Sequence, residues 1–345
     1  MKSNIAQKFL ACLLTTGLLI ACAPLRAAAW GQEGHAIVAR IAAARLTPKT
    51  QTAVVKLLNV DPFFQQNCKS AKTVADKLAC IASWADQVRV QRNNGALHFV
   101  NIPIYVPASA RHYIATRDCK GGQCSVAAID SNMSVLRKSK ALTVARAEAL
   151  KYVVHFVGDL HQPLHNAIDH DADAGLAENK PPHAPVQDNG DRGGNLKLVV
   201  WLGEPTNAFG CWNLHAVWDE GIIEHKNADQ VSYAATLALT DQQFADFQTG
   251  TAIDWANDAL ALAVSNAYAL PAPNAQDAVC EVKAGNKTAC DAFAAPLCKS
   301  VEVHHRYNLD ESYNDTNLPV VESQLQRAGA RLAMLLNGLF DPTHH

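Results

Sequence analysis

The chain has 345 residues with 30 basic and 32 acidic side chains, a formal charge of −2. No basic patch is present of the kind that grips nucleic acid through lysine and arginine charge alone. No apolar run past the amino-terminal leader reaches the ~18 residues of a membrane span, and no Pro- or Ser-rich linker divides the chain into two domains.

The first element is that leader. Lys2 and Lys8 precede an apolar run from Phe9 to about Ala23, and Ala27-Ala28-Ala29 offers a small-residue cleavage point. This predicts a signal peptide over 1–29, a single domain over 30–345, and a secreted or periplasmic protein. A competing pattern, Leu19-Ile20-Ala21-Cys22, resembles a bacterial lipoprotein box and would acylate Cys22, leaving Trp30 mid-chain. Cleavage after Ala29 removes Lys2, Lys8 and Arg26 and no acid, which leaves 27 basic and 32 acidic residues, net −5. An anionic substrate must then be attracted by bound cations. The cut also frees the amine of Trp30, which with its own carbonyl oxygen can chelate a metal beside His35.

Apolar periodicity predicts helices over about 33–45 (Ile37, Val38, Ile41, Leu46), 47–59 from a Thr-Pro start, and 71–90 (Val74, Leu78, Ile81, Trp84). Amphipathic helices follow over 125–138 and 143–160. Further helices are predicted over 212–224, 229–238, 241–248, 252–268 and 318–340, the last entered at Pro319. Strand patterns are confined to 98–102 and 196–201. The fold class is all-α, one compact mostly helical domain. Segments 167–192 and 270–300 read as exposed loops, and Asn286-Lys-Thr is a glycosylation sequon.

Without Cys12 and Cys22, eight of the ten cysteines remain, an even number suited to disulfides in an oxidising compartment. Cys119 and Cys124 read as a local bridge and Cys68 with Cys80 as a second. Pairing of Cys211, Cys280, Cys290 and Cys298 is open. No C-x-x-C spacing points to a thiolate metal site.

The chemistry lies in histidines and aspartates. In His155-Phe-Val-Gly-Asp159-Leu-His161-Gln-Pro-Leu-His165, His155 and Asp159 stand one turn apart on a helix face, and Pro163 bends the chain so that His165 can return to them. His215 and Asp219 repeat the spacing in Asn213-Leu-His-Ala-Val-Trp-Asp219. Asp86 follows an apolar helix in Ser83-Trp-Ala-Asp86-Gln-Val-Arg89, and His98 stands in an apolar strand. With Trp30 and His35 these make nine candidate ligands: Trp30, His35, Asp86, His98, His155, Asp159, His165, His215 and Asp219. Imidazole and carboxylate without thiolate suit zinc, and nine ligands exceed the needs of one tetrahedral ion. They suit a cluster in which a carboxylate bridges two ions.

These motifs, with Trp-Gly-x-x-Gly-His at residues 30–35, Trp-Ala-Asp, His-Phe-x-Gly-Asp…Gln-Pro-Leu-His, Gly-Gly-Asn at 193–195 and Asn-Leu-His…Trp-Asp, resemble the zinc-dependent single-strand-specific nucleases. Those enzymes also act as 3′-nucleotidases, and zinc phospholipases C are their structural cousins. The resemblance covers nearly all of 30–345. It implies a helical, disulfide-linked domain with three zinc ions. One takes Asp86, His98, His155 and Asp159. A second takes His165, His215 and Asp219. The third takes the Trp30 amine and carbonyl, His35 and Asp159. The implied substrates are single-stranded DNA, RNA and 3′-nucleotides, with 5′-phosphomononucleotides as products, no stable protein partner and no membrane span. The competing activity is that of a zinc phospholipase C on lipid head groups.

Within this reading Asp86, Arg89 and Asp159 serve catalysis. Arg89 is placed to contact phosphoryl oxygens as charge builds. Phe99, beside His98, resembles the family's base-stacking position. Asn101 falls where some relatives carry an acid that reads the base edge, and an amide there both donates and accepts. Asn195 is expected to fix a ligand or phosphate. His161 faces away from the ligands by helical geometry. His170, His183, His304, His305, His344 and His345 read as solvated.

Overall fold

The computed structural model describes residues 30–138, 142–169, 190–207, 210–272, 274–278 and 305–343. The leader with Cys22, the segment carrying His170 and His183, Asn286, Cys280, Cys290, Cys298, His304, His344 and His345 lie outside these residues.

The helices are α1 (Gln32–Ala43), α2 (Pro48–Leu58), α3 (Pro62–Asn67), α4 (Val74–Ile81), α5 (Trp84–Gln87), α6 (Arg89–Arg92), α7 (Ala115–Asp118), α8 (Ser125–Arg137) and α9 (Val144–His161). After them come α10 (Leu214–Ala216), α11 (Ile222–His225), α12 (Gln230–Thr236), α13 (Asp241–Phe247), α14 (Ala252–Leu262) and α15 (Glu311–Phe340). Strands are short. β1 (Ile102–Pro103) runs parallel to β2 (Ala167–Ile168). β3 (Val199–Trp201) pairs with β7 (His305–Leu309), which also pairs with β6 (Asn274–Ala278), and β4 (Thr206–Asn207) pairs with β5 (Gly210–Cys211). The all-α expectation holds.

Helix α9 is the centre. Ala147, Leu150, Val153, Val154, Phe156, Val157 and Leu160 are all buried, so it is apolar on nearly every side rather than amphipathic. A helix of that kind must be enclosed by others, and α1, α8, α14 and α15 pack around it. Each large apolar side chain enclosed this way stabilises by roughly 1.5–3 kcal/mol. The candidate ligands on α9 therefore stand on a rigid rod. Disulfides Cys68–Cys80 and Cys119–Cys124 staple the neighbouring segments, as the spacing suggested. Among the described residues no helix is long and apolar enough to cross a membrane.

Local signals explain several boundaries. Thr47 caps α2 by accepting from Thr50 N at 3.2 Å, with Pro48 in the first turn. Thr73 and Asp76 form a capping box on α4, and Thr251 with Asp254 does the same on α14.

Five expectations fail, each for a physical reason. The helix expected over 71–90 is broken into α4, α5 and α6, because the Ala82 carbonyl leaves the helical ladder to accept from His155 Nδ1 at 2.7 Å. His98 is not in a strand. It ends a 3-10 turn over Gly95–His98, and its carbonyl accepts from His165 Nδ1 at 2.6 Å. Helix α15 starts at Glu311, not at Pro319, because Asp310 caps it by accepting from Ser312 and Tyr313 N–H groups. The expected 167–192 loop is buried at both ends, at Ala167, Ile168 and Asp191, because Asp191 accepts from the backbone of Asp169 and Gly193, and residues 274–278 of the expected 270–300 loop form β6 by pairing with β7.

Candidate metal centre

Helix α9 presents His155 and Asp159 one turn apart, and three other elements close on them. The 3-10 turn brings His98, α5 brings Asp86, and α1 brings His35. Oδ2 of Asp159 is 3.1 Å from His98 Nδ1 and 3.2 Å from His155 Nε2, while its Oδ1 is 3.2 Å from His35 Nε2. Asp86 Oδ1 lies 3.4 Å from His98 Nδ1 and 3.6 Å from His155 Nε2. The His35 and His155 rings stack with centroids 4.0 Å apart.

A second group is built where the chain turns after α9. Gln162 ends the helix, Pro163 opens a 3-10 turn over Pro163–Asn166, and His165 swings toward His215. Asn213 caps α10 by accepting from Ala216 N at 2.8 Å, and the backbone then widens into a π turn over Val217–Gly221 that carries Asp219. His215 Nε2 is 3.2 Å from Asp219 Oδ2, and His165 Nε2 is 3.9 Å from Asp219 Oδ1.

The outer contacts fix which ring nitrogen faces inward. Nδ1 of His155, His165 and His215 donates to the carbonyls of Ala82, His98 and Gly193 at 2.7, 2.6 and 2.7 Å. His98 Nε2 donates to Asn94 Oδ1 at 3.3 Å, and Asn94 is oriented by donating its own amide to Ala85 O. Each imidazole therefore turns its other nitrogen inward, where a cation that displaces the proton finds a lone pair. These inner nitrogens face one another: His155 Nε2 is 3.0 Å from His98 Nδ1, and His165 Nε2 is 3.1 Å from His215 Nε2. Nitrogens at such distances are held by a proton or a metal cation between them. Metal–nitrogen bonds of ~2.0–2.1 Å in a tetrahedron put neighbouring ligand atoms about 3.4 Å apart.

The carboxylates make the same demand. Both oxygens of Asp86 and of Asp159, and both ring nitrogens of His35, are buried without a hydrogen bond. A buried charge left unpaired is strongly unfavourable, so these atoms fit a divalent ion. Electrostatics agree. Burial pushes the Asp159 carboxyl up, but the charge of His155 and the closeness of the His155, His35 and His98 rings hold it well below its ordinary value. Burial pushes His155 down, yet Asp159 and Asp86 overcome that and raise it well above its ordinary value. The pocket is one that favours positive charge. His165, under burial and the charge of His215, drops to about 4.

Trp30 is wholly buried at the edge of the first group. Gly31 N donates to Asp219 O at 2.9 Å, and a methyl on Gly34 would meet Trp30 Cβ at 2.8 Å. Glu220 lies against Gly31; burial and the charges of Asp219 and Glu224 push it up to about 7.

Of the remaining expected residues, Arg89 is half-buried on α6, beside Gly95 and near enough to His215 to oppose that ring's protonation. Phe99 and Asn101 are half-buried in the stretch leading from His98 into β1. Asn195 turns its amide back to Arg192 O at 2.9 Å rather than toward the ligands. His161 faces α15. Sequence reasoning missed Gln162, whose amide donates to Asp219 Oδ1 at 2.6 Å and whose oxygen accepts from Leu164 N. It also missed Asn94 behind His98 and Asp191 behind Gly193. The signal for Gln162 was its place between two ligands.

The S1/P1 Nuclease family profile matches residues 30–341. Endonuclease 4 of Arabidopsis thaliana is 29% identical, over 100% of this chain and 99% of the relative. Nuclease P1 of Penicillium citrinum is 26% identical over 89% and 97%, and Nuclease S1 of Aspergillus oryzae 27% over 89% and 91%.

Proposed function

The chain belongs to the S1/P1 nuclease family, and on that premise we propose that it is a secreted nuclease working with three zinc ions. Its substrates are single-stranded DNA and RNA, cut to 5′-phosphomononucleotides, and 3′-nucleotides, from which it removes phosphate. The observation that carries this is the two pairs of facing imidazole nitrogens, turned inward by outer hydrogen bonds and set beside carboxylate oxygens. Asp86, His98, His155 and Asp159 would hold one ion, and His165, His215 and Asp219 another. His35, Asp159 and the amine and carbonyl of Trp30, freed by cleavage after Ala29, would hold the third. Two features support that third set: Asp159 turns one oxygen to His35 and the other to His98 and His155, and the family match begins at Trp30.

When bound, zinc supplies Lewis acidity toward phosphoryl oxygens and acidifies water toward neutrality. Hydrolysis joins a water oxygen to phosphorus and breaks the bond from phosphorus to the 3′ oxygen, which takes up a proton. Arg89 neutralises charge on the phosphoryl oxygens as it builds. Phe99 stacks an unpaired base, and Asn101 meets its edge with one donor and one acceptor. That use of the ring selects single strands, because a base must leave its duplex stack to reach an aromatic face.

The test uses purified protein beginning at Trp30, given single-stranded DNA, phosphatidylcholine vesicles, and DNA after chelation. DNA cleavage that is lost on chelation and restored by zinc is expected. Lipid hydrolysis without DNA cleavage would replace this reading with a phospholipase C.

A further inference from the structure

Asp191 is buried, which pushes its carboxyl up to about 6, and it touches none of the candidate ligands. Its Oδ1 accepts from Asp169 N at 3.0 Å and Gly193 N at 3.1 Å; its Oδ2 accepts from Gly194 N at 3.0 Å and the Tyr268 hydroxyl at 2.8 Å. Asp191 N also donates to Asp169 O at 2.7 Å. Two consecutive N–H groups converging on one anion form a nest, and here it requires left-handed backbone: Gly193 has φ +63° and Gly194 φ +83°.

The loop shaped by that nest is wedged between both halves of the second ligand group. A methyl on Gly193 would lie 2.4 Å from the Leu164 carbonyl, next to His165, and one on Gly194 would lie 3.2 Å from Leu214 Cβ, next to His215. The same loop aims the Gly193 carbonyl at His215 Nδ1, 2.7 Å away. The path from the carboxylate to the ligand is thus continuous: Asp191 fixes two amides, they fix a carbonyl, and the carbonyl fixes the tautomer and direction of an imidazole.

We propose that Asp191 is the positioning residue for the ion held by His165, His215 and Asp219, acting through the Gly193–Gly194 nest. This rests on the three-ion reading above. An amide at 191 can offer an oxygen to only one pair of donors; its NH2 group would face the other pair, and the nest would open. Loss of an outer contact of this kind typically weakens metal binding by about 10–100-fold.

The experiment measures zinc per chain in Asp191→Asn and the unsubstituted protein, both beginning at Trp30, across a series of buffered free-zinc concentrations. The expected result is that Asp191→Asn needs about 10–100-fold more free zinc to hold its last ion, and that added zinc restores both the ion and turnover. A loop that was only structural would not be rescued by zinc. Identical zinc curves would overturn the proposal, whereas an unsubstituted protein that never reaches three ions would instead overturn the three-ion reading. If Asp191→Asn does not fold, Tyr268→Phe decides, since it removes one donor to Oδ2 and keeps the ring. Weaker retention of one ion supports the proposal, and an unchanged curve overturns it.

Discussion

The backbone of Gly158 touches the ring of His35: a methyl placed on Gly158 would lie 2.7 Å from His35 Nδ1 and 3.0 Å from its Cε1. Position 158 is thus the floor on which His35 rests, one residue before the carboxylate it faces. Gly158→Ala is expected to push His35 off Asp159 while leaving the His165, His215 and Asp219 group intact. Zinc should fall from three ions per chain to two, and turnover by about 100-fold, the scale of a displacement near 1 Å in an active site. Elemental analysis and single-strand cleavage rates check this; three ions and unchanged turnover would contradict it.

Arg331 is almost fully buried and braces the same helix from behind. Its Nη1 donates to His161 Nε2 at 2.9 Å and its Nη2 to Asp258 at 3.2 Å, over the Trp255 ring. His161 Nδ1 is already used on Val157 O, and burial with the charge of Arg331 holds the ring neutral, at about 3. Arg331→Met leaves a buried acceptor unpaired and is expected to destabilise the zinc-free protein by about 2–3 kcal/mol. Urea unfolding measures it. A loss under about 1 kcal/mol would show that the contact carries little.

Asp76 gives a pH dependence with a definite sign. Hydrogen bonds from the side chain and backbone of Thr73, and then from Arg40, hold its carboxyl down to about 2. A depressed folded value means that the stabilisation is whole above the ordinary 3.8 and is lost as pH falls through about 2. Asp76→Ala should cost about 1 kcal/mol at neutral pH, the usual worth of a cap. The gap from the unsubstituted protein should close as pH falls from 4 toward 2. A gap independent of pH over that range would contradict it. Zinc-free protein is the right material, because acid also strips the histidine ligands.

Arg89 separates binding of metal from handling of phosphate. Arg89→Ala is expected to lower turnover by about 100- to 1,000-fold, as loss of a charge-stabilising group does, with three zinc ions retained. Unchanged turnover removes Arg89 from the mechanism.

The candidate ligands were legible because helical spacing pairs several of them. His155 with Asp159, and His215 with Asp219, sit one turn apart, a spacing that survives any packing. The fold class was legible for the same reason, since most of the chain repeats at the helical period. What the sequence hid is tertiary. The break of the 71–90 helix and the placement of His98 exist because carbonyls at Ala82 and His98 serve distant imidazoles. The π turn that carries Asp219 has no periodic signature. Asp191 opens a segment that resembles one in the family, and only the folded nest links it to His215 through the Gly193 carbonyl. The early start of α15 was hidden because residues 311–318 are mostly polar, so the apolar pattern begins after the proline.

The central claim is that a cut after Ala29 completes the metal site through the amine of Trp30. The direct measurement is zinc per chain, with single-strand cleavage, in protein that begins at Trp30 and in protein with two residues placed ahead of it. Three ions and full turnover are predicted for the first, two ions and a large loss of turnover for the second. Three ions and full turnover in the extended protein would contradict the account.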